Sequence, residues 1–211
     1  MIEKIIFDLD GTLVATHPTI LKVLGEMTSH KKKLLVNKQR ELDKCISLGA
    51  EAIIDRFFIV DALKLPLAVS EFRDRYSEQD TTMDYTYSGV RNFLKYFSIR
   101  KVELCILTNK PRILALKTLS STNIQNYFHK IICGDDGFGL KPSLDGLTEI
   151  ISNTLPSNVI YIGDSQIDMD VANSMKLKYY HHELGYGSLP KNNIFYEKKF
   201  GDFNDLLELI K

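Results

Sequence analysis

The sequence predicts an α/β protein: a doubly wound, Rossmann-like parallel sheet interrupted early by a helical insertion. Apolar β-forming runs recur at Ile5-Ile6-Phe7, at Val102-Glu103-Leu104-Cys105-Ile106-Leu107 and at Val159-Ile160-Tyr161-Ile162, and each stops at polar residues. Short apolar runs bounded in this way fit strands buried on both faces, as in a parallel sheet flanked by helices. From Tyr87 onwards strand patterns alternate with helical ones, which calls for right-handed crossovers. Residues 15–82, by contrast, carry helical periodicity and hardly any strand signal. The insertion therefore follows the first strand directly, where an α/β enzyme would place a lid. The expected division is a core of 1–14 and 83–211 with a helical cap of 15–82.

In chain order, helices are expected over 18–29, 34–48, 50–64 and 67–78. Lys31-Lys32-Lys33 fits a solvated turn between the first two, Gly49 a break before the third, and Leu65-Pro66 a break before the fourth. Phe57, Phe58, Phe72 and Tyr76 read as the core of this helical unit. A helix at 89–98 precedes the strand 102–107, which ends in Thr108-Asn109-Lys110, with Pro111 at the next helix start. A helix at 112–122, a short strand at 130–133 and a glycine-rich loop at 134–139 follow. Lys141-Pro142-Ser143 then opens another helix. The strand 158–162 ends in Gly163-Asp164-Ser165; a helix at 168–175, a strand at 178–181 and a helix at 203–210 complete the pattern.

A chain of 211 residues, 44% hydrophobic and 26% charged, can bury an ordinary core without disulfides. Lysine plus arginine equals aspartate plus glutamate at 27 each, so no global field draws the chain to nucleic acid. Cys45, Cys105 and Cys133 are too far apart for a zinc pattern and odd in number, and they read as small buried hydrophobes in a reducing compartment. The first strand begins too early to leave room for a signal peptide, and no apolar run spans a bilayer. The expected setting is cytoplasmic, without membrane or nucleic-acid partners; a monomer and a homodimer are both open.

Residues i and i+2 of a strand point the same way, so Asp8 and Asp10 would project together from the carboxyl end of the first strand. In open α/β sheets that end is where ligands bind. The other strong strands would add Thr108 and Asn109, then Asp164 with Asp168 four residues on; Lys141 precedes the last of them. Crowded carboxylates need a cation or a shared proton. Hard oxygens without thiolate or imidazole suit Mg²⁺, while a hydroxyl, backbone N–H groups and an ammonium suit a phosphoryl group.

Asp8-Leu9-Asp10-Gly11-Thr12-Leu13 resembles the signature of the haloacid dehalogenase superfamily, specifically its phosphatases of the phosphoglycolate phosphatase-like type. Ile106-Leu107-Thr108-Asn109-Lys110, Lys141-Pro142-Ser143 and Gly163-Asp164-Ser165-Gln166-Ile167-Asp168 resemble its second, third and fourth motifs, in the family's order. The resemblance implies a Mg²⁺-dependent phosphatase that hydrolyses a small phosphate monoester through an aspartyl-phosphate. Asp8 would be the nucleophile. Asp10 would protonate the leaving oxygen and later deprotonate water. Lys141 would neutralise the phosphate and Asp8, Thr108 and the Asn109 N–H would hold phosphoryl oxygens, and Asp8, Asp10 and Asp164 would gather the metal. Asp168 would orient the lysine or act through water, unless it only caps its helix.

The insertion resembles the family's small helical cap, with Ser47-Leu48-Gly49-Ala50 where a specificity turn falls. An arginine that binds acidic substrates is often found near there; Lys44 is the nearest cation and no obvious substitute, which puts phosphoglycolate in doubt. Gly185-Tyr186-Gly187 resembles a core loop facing the cap, though a plain turn fits equally. His17 lies closest to the catalytic turn, with a surface or hinge place expected for it. A phosphoglucomutase-like phosphotransferase is the alternative enzyme, and a non-catalytic binding protein on the same fold the alternative of another class.

Overall fold

The computed structural model describes residues 1–27, 38–43, 45–79, 85–187 and 196–211. Strands β1 (Lys4–Phe7), β2 (Glu103–Leu107), β3 (Lys130–Ile132), β4 (Val159–Gly163), β5 (Lys178–His182) and β6 (Lys198–Phe200) form one sheet in the order β3-β2-β1-β4-β5-β6, every pairing parallel. The three apolar runs are thus neighbours: Ile6 lies opposite Cys105 on one side and Tyr161 on the other. Their polar carboxyl ends meet at one edge of the sheet.

Every residue of β1 is buried. Its alternation serves both faces. Ile5 and Phe7 pack with Phe93 and Phe97 of α5 (Val90–Ile99) and with Phe203 and Leu206 of α9 (Phe203–Ile210). Ile6 faces the opposite core, with Leu147 and Ile150 of α7 (Asp145–Ile151) and Met169 and Ala172 of α8 (Gln166–Ser174). Helix α6 (Arg112–Ser121) follows β2, as the proline at its start predicts.

Between β1 and α5 stand α1 (His17–Glu26), α2 (Lys38–Asp43), α3 (Ala50–Phe57) and α4 (Leu65–Glu78). They build a cluster of their own from Val23, Leu42, Ile54, Phe58, Phe72 and Tyr76, so the aromatic residues expected in the cap core are there. Leu114 of α6 and Tyr186 join that cluster from the α/β side. The helical unit rests directly on the α/β side through Leu114 and Tyr186.

Several expected boundaries move. The helix expected over 34–48 is, among the described residues, α2 followed by a single 3₁₀ turn at Ile46–Leu48. Lys31-Lys32-Lys33, Lys44 and the boundary at 82/83 lie outside the described residues. Helix α3 stops at Phe57 rather than 64. Phe58 is extended and drives its ring into the core, while Ile59 and Leu63 beyond it are 60% and 90% exposed. Their apolar spacing mimics a buried stripe that has nothing to face. Helix α4 starts at Leu65, with Pro66 in the first turn where its missing N–H costs nothing. The helix after Lys141 begins only at Asp145. Helix α8 starts at Gln166 because Ser165 and Asp168 form a reciprocal capping box. Strand β6 was not expected. All three cysteines are buried, and burial pushes their thiols up, to about 12, 11 and 12 for Cys45, Cys105 and Cys133. Among the described residues no helix is long and apolar enough to cross a membrane.

Candidate active site

The chain leaves β1 in a tight turn. The Asp8 N–H still donates to the Ile162 carbonyl at 3.0 Å, holding Asp8 in the sheet's register. Gly11 then adopts φ +88, a left-handed conformation that disfavours a side chain. A Cβ there would come within 2.3 Å of Asp164 Oδ2, so the glycine is also what lets the turn press against the next acid. The Gly11 carbonyl is 2.8 Å from Nδ1 of His182, fully buried at the end of β5. A carbonyl only accepts, so Nδ1 carries the proton. Burial pushes the ring's pKa down, so this histidine is a neutral prop of the turn and no metal ligand through that nitrogen.

Lys141 reaches in from the loop before α7. Its Nζ lies 2.6 Å from Asp8 Oδ1 and 2.6 Å from Asp168 Oδ1, all three side chains buried. Tyr161 Oη donates to the same Asp168 oxygen at 3.1 Å, and the Ser165 N–H donates to Oδ2 at 3.2 Å. The two readings of Asp168 are therefore not exclusive. One carboxylate caps α8 and holds the lysine. Asp164 receives the Tyr186 N–H at 2.7 Å and the Gly187 N–H at 3.3 Å on Oδ2, and the Thr12 hydroxyl at 3.3 Å on Oδ1. The loop at 185–187 thus does face the site; a Cβ at Gly185 would lie 2.2 Å from the Asp164 side chain.

Burial pushes the Asp8 pKa well up, with Asp168 and Asp164 adding repulsion that Lys141 opposes. Burial and Asp168 push Asp164 to about 7 against the two N–H donors. Lys141 moves up as well: burial would lower it, but Asp168 and Asp8 outweigh burial. One ammonium among three buried carboxylates leaves a deficit of positive charge. Ligand oxygens of Asp8, Asp164 and Asp168 lie within 4.8 Å of one another. A hard divalent cation fits this donor set. The Asp10 carboxylate is not one of that trio; its Oδ1 lies 2.8 Å from Lys110 Nζ.

Thr108 and Asn109 end β2 beside this centre, and the cleft between sheet edge and helical unit is lined by Asp8, Asp10, Thr108 and Asn109. The Asn109 side chain is committed elsewhere. Its Oδ1 accepts the Lys141 N–H at 2.7 Å, and its Nδ2 donates to the Lys141 carbonyl at 3.1 Å and the Ser47 carbonyl at 3.0 Å. It fixes the lysine's backbone and ties it to the cap. Ser47, Gly49 and Ala50 line the same cleft. His17 is the first residue of α1. Its Nε2 lies 2.5 Å from Asp43 Oδ1 and its ring packs 3.6 Å from that of Tyr186, whose hydroxyl accepts the N–H groups of Thr16 and His17.

Sequence reasoning missed Tyr186 as the link between Asp164 and the start of α1, and missed Lys110. The Lys110 Nζ also donates to the Tyr76 hydroxyl at 3.0 Å. A third polar residue at a strand end, with no solvent face ahead of Pro111, was the available signal.

Fold and site together define a doubly wound α/β protein with a buried carboxylate centre under a helical cap. The family model described as haloacid dehalogenase-like hydrolase matches residues 5–181, and the chain belongs to that family. Over 216 residues, covering 100% of this chain and 98% of the relative, it is 27% identical to a phosphoglycolate phosphatase of Rhodobacter capsulatus. It is 28% identical over 175 residues to an N-acetylmuramic acid 6-phosphate phosphatase of Pseudomonas aeruginosa, covering 80% of this chain and 76% of the relative. The crystal structure of a predicted phosphoglycolate phosphatase from Haemophilus somnus superposes with a TM-score of 0.84 at 21% identity, covering 100% of this chain and 98% of that one; at that identity it bears on the fold alone. Family and relatives together indicate an enzyme of the phosphoric monoester hydrolase class.

Proposed function

We propose that the protein hydrolyses a small phosphate monoester by way of a phosphorylated Asp8, with Mg²⁺ as its cofactor. Residues 1–14 and 83–211 form the catalytic core, and 15–82 the cap. The substrate is a small phosphorylated metabolite of the cytoplasm, taken by a monomer or homodimer. The observation that carries this reading is Asp8, a buried carboxylate at the cleft floor with Oδ1 on the Lys141 ammonium, 2.6 Å away. The lysine fixes one oxygen and leaves the other to attack.

In the first step an Asp8 oxygen bonds to phosphorus while the bond from phosphorus to the leaving oxygen breaks. Asp10 gives that oxygen its proton. Thr108, the Asn109 N–H and Lys141 hold the phosphoryl oxygens as charge spreads over them. In the second step water attacks phosphorus, Asp10 takes its proton, and the Asp8–phosphorus bond breaks to release phosphate. Asp8 and Asp164 would hold Mg²⁺, which would supply positive charge to the phosphoryl oxygens. Asp10, its Oδ1 held by Lys110, would be the third member of that metal set. Asp168 acts through Lys141.

Purified protein is expected to hydrolyse p-nitrophenyl phosphate with Mg²⁺ and not with a chelator; no turnover with Mg²⁺ would sink this reading. Asp10→Asn should lose roughly 100-fold or more in kcat/KM on an alkyl phosphate, whose alkoxide needs a proton. The loss on p-nitrophenyl phosphate should be far smaller, since that phenolate departs without one. Equal losses would remove Asp10 as the acid.

The charge deficit gives a second check. Asp164 has a folded pKa of about 7 against an ordinary 3.8, so between those values the folded metal-free protein holds a proton that the unfolded chain has lost. Its contribution to stability therefore falls as pH rises through that window and stays low above it. A cation binds the ionised carboxylates and displaces the proton. Mg²⁺ should then raise the thermal midpoint more at pH 8 than at pH 5; a shift independent of pH would contradict this placement.

The names of the relatives extend from phosphoglycolate to an amino-sugar phosphate, so class rather than substrate carries over. A panel of phosphorylated metabolites ranked by kcat/KM decides among them.

A further inference from the structure

We propose that Lys110 is a positioning residue that orients the Asp10 carboxylate and, through Tyr76, makes that orientation depend on closure of the cap. The inference rests on the acid role of Asp10 in the phosphatase reading and adds what sets the acid in place.

Lys110 is 9% exposed, a costly place for an ammonium unless it is fully engaged. Two contacts engage it, and they come from different parts of the molecule. Asp10 Oδ1, on the turn after β1, lies 2.8 Å from Nζ. The Tyr76 hydroxyl, on cap helix α4, lies 3.0 Å from it. The same Nζ sits 4.5 Å from the centroid of the Tyr76 ring, within reach of its π face. Tyr76 is itself only 2% exposed and packs against Phe72 of the cap core, so its hydroxyl is carried by the cap helix.

A lysine side chain has four rotatable carbons and no fixed direction of its own. One anchor on Asp10 alone would let ammonium and carboxylate swing together. The second anchor on α4 fixes Nζ in space, and Nζ then fixes Oδ1. With Oδ1 taken, Oδ2 is the oxygen through which a proton passes to the leaving group or from water. When the cap lifts, Tyr76 leaves with α4, and the carboxylate loses the brace that aims it. Proton transfer is thereby matched to the closed state, in which the cleft is shielded from bulk water.

The test compares kcat/KM for two substrates, because that ratio reports only steps up to departure of the leaving group. An alkyl phosphate needs the proton from Asp10; p-nitrophenyl phosphate does not. Lys110→Met should follow the pattern of Asp10→Asn, losing roughly 10- to 100-fold on the alkyl phosphate and only a few-fold on the nitrophenyl ester. Tyr76→Phe removes one oxygen and leaves the Lys110–Asp10 pair intact. It should lose roughly 3- to 10-fold on the alkyl phosphate, with the nitrophenyl rate moving less. A role confined to packing would lower both substrates alike. Equal losses in Tyr76→Phe, or none on either substrate, would overturn the coupling to the cap. Equal losses in a folded Lys110→Met would overturn the positioning role; if that variant does not fold, Tyr76→Phe alone decides. Wild-type turnover of p-nitrophenyl phosphate stands in every one of these outcomes, so a failure here is distinct from failure of the phosphatase reading.

Discussion

Asp8→Asn is expected to lose at least roughly 10⁴-fold in turnover of any phosphate monoester, because an amide oxygen cannot serve as the nucleophile. The same change should leave stability unchanged or higher. Asp8 is buried against Asp164 and Asp168, and burial with those neighbours holds its carboxyl well above the ordinary range. Asparagine is nearly isosteric, removes that repulsion, and leaves Lys141 paired with Asp168 at 2.6 Å. Function and stability therefore pull in opposite directions at this position. Urea unfolding of the chelated proteins, read beside p-nitrophenyl phosphate turnover, checks both halves. Activity surviving in Asp8→Asn would remove the nucleophile. Strong destabilisation would mean that the charge on Asp8 is a structural partner of Lys141 rather than a strained catalytic group.

The parts of the fold legible in the sequence were those fixed by local pattern. β1, β2 and β4 are buried on both faces, and such strands write themselves as apolar runs. Their carboxyl ends carry the motifs, so Asp8, Thr108, Lys141 and Asp164 could be named together before their distances were known. Strand β6 could not. It is three residues long, and both of its lysines are exposed, so its β character comes from pairing with β5 rather than from its own residues. The end of α3 failed for the opposite reason. Ile59 and Leu63 supply apolar spacing without burial, and only the three-dimensional position of Phe58 shows where the helix stops. Lys110 and Tyr76 are separated by 34 residues, and Lys110 and Asp10 by 100. Nothing local marks a contact of that range; each residue had a sufficient simpler meaning as a strand end or a core aromatic. The site's first layer is written in motifs, whereas the braces that orient it are written in the packing of one unit on the other.

Lys141→Met should cost the most stability of these single changes, and turnover as well. Among the described residues the lysine is the one ammonium in contact with both Asp8 and Asp168, and Asp164 stands within the same cluster. Methionine fills a similar volume but leaves those carboxylates buried without their counter-ion, a loss of about 3–5 kcal/mol where one partner of a buried pair is removed. Turnover should fall by at least roughly 10³-fold as phosphoryl charge loses its stabiliser. The damage has a signature that ordinary loss of packing lacks. Because it comes from ionised carboxylates, protonation should relieve it, and the variant should recover stability relative to wild type as pH falls from 8 towards 5. Adding Asp8→Asn to Lys141→Met removes one of the stranded charges. The double variant should then be more stable than Lys141→Met alone, with a coupling of about 1–3 kcal/mol. Denaturant unfolding of the four proteins at two pH values measures it. Strict additivity with no pH dependence would show that Lys141 holds the loop by its backbone bonds to Asn109 alone, and that its charge is not what keeps three acids together at the end of β1.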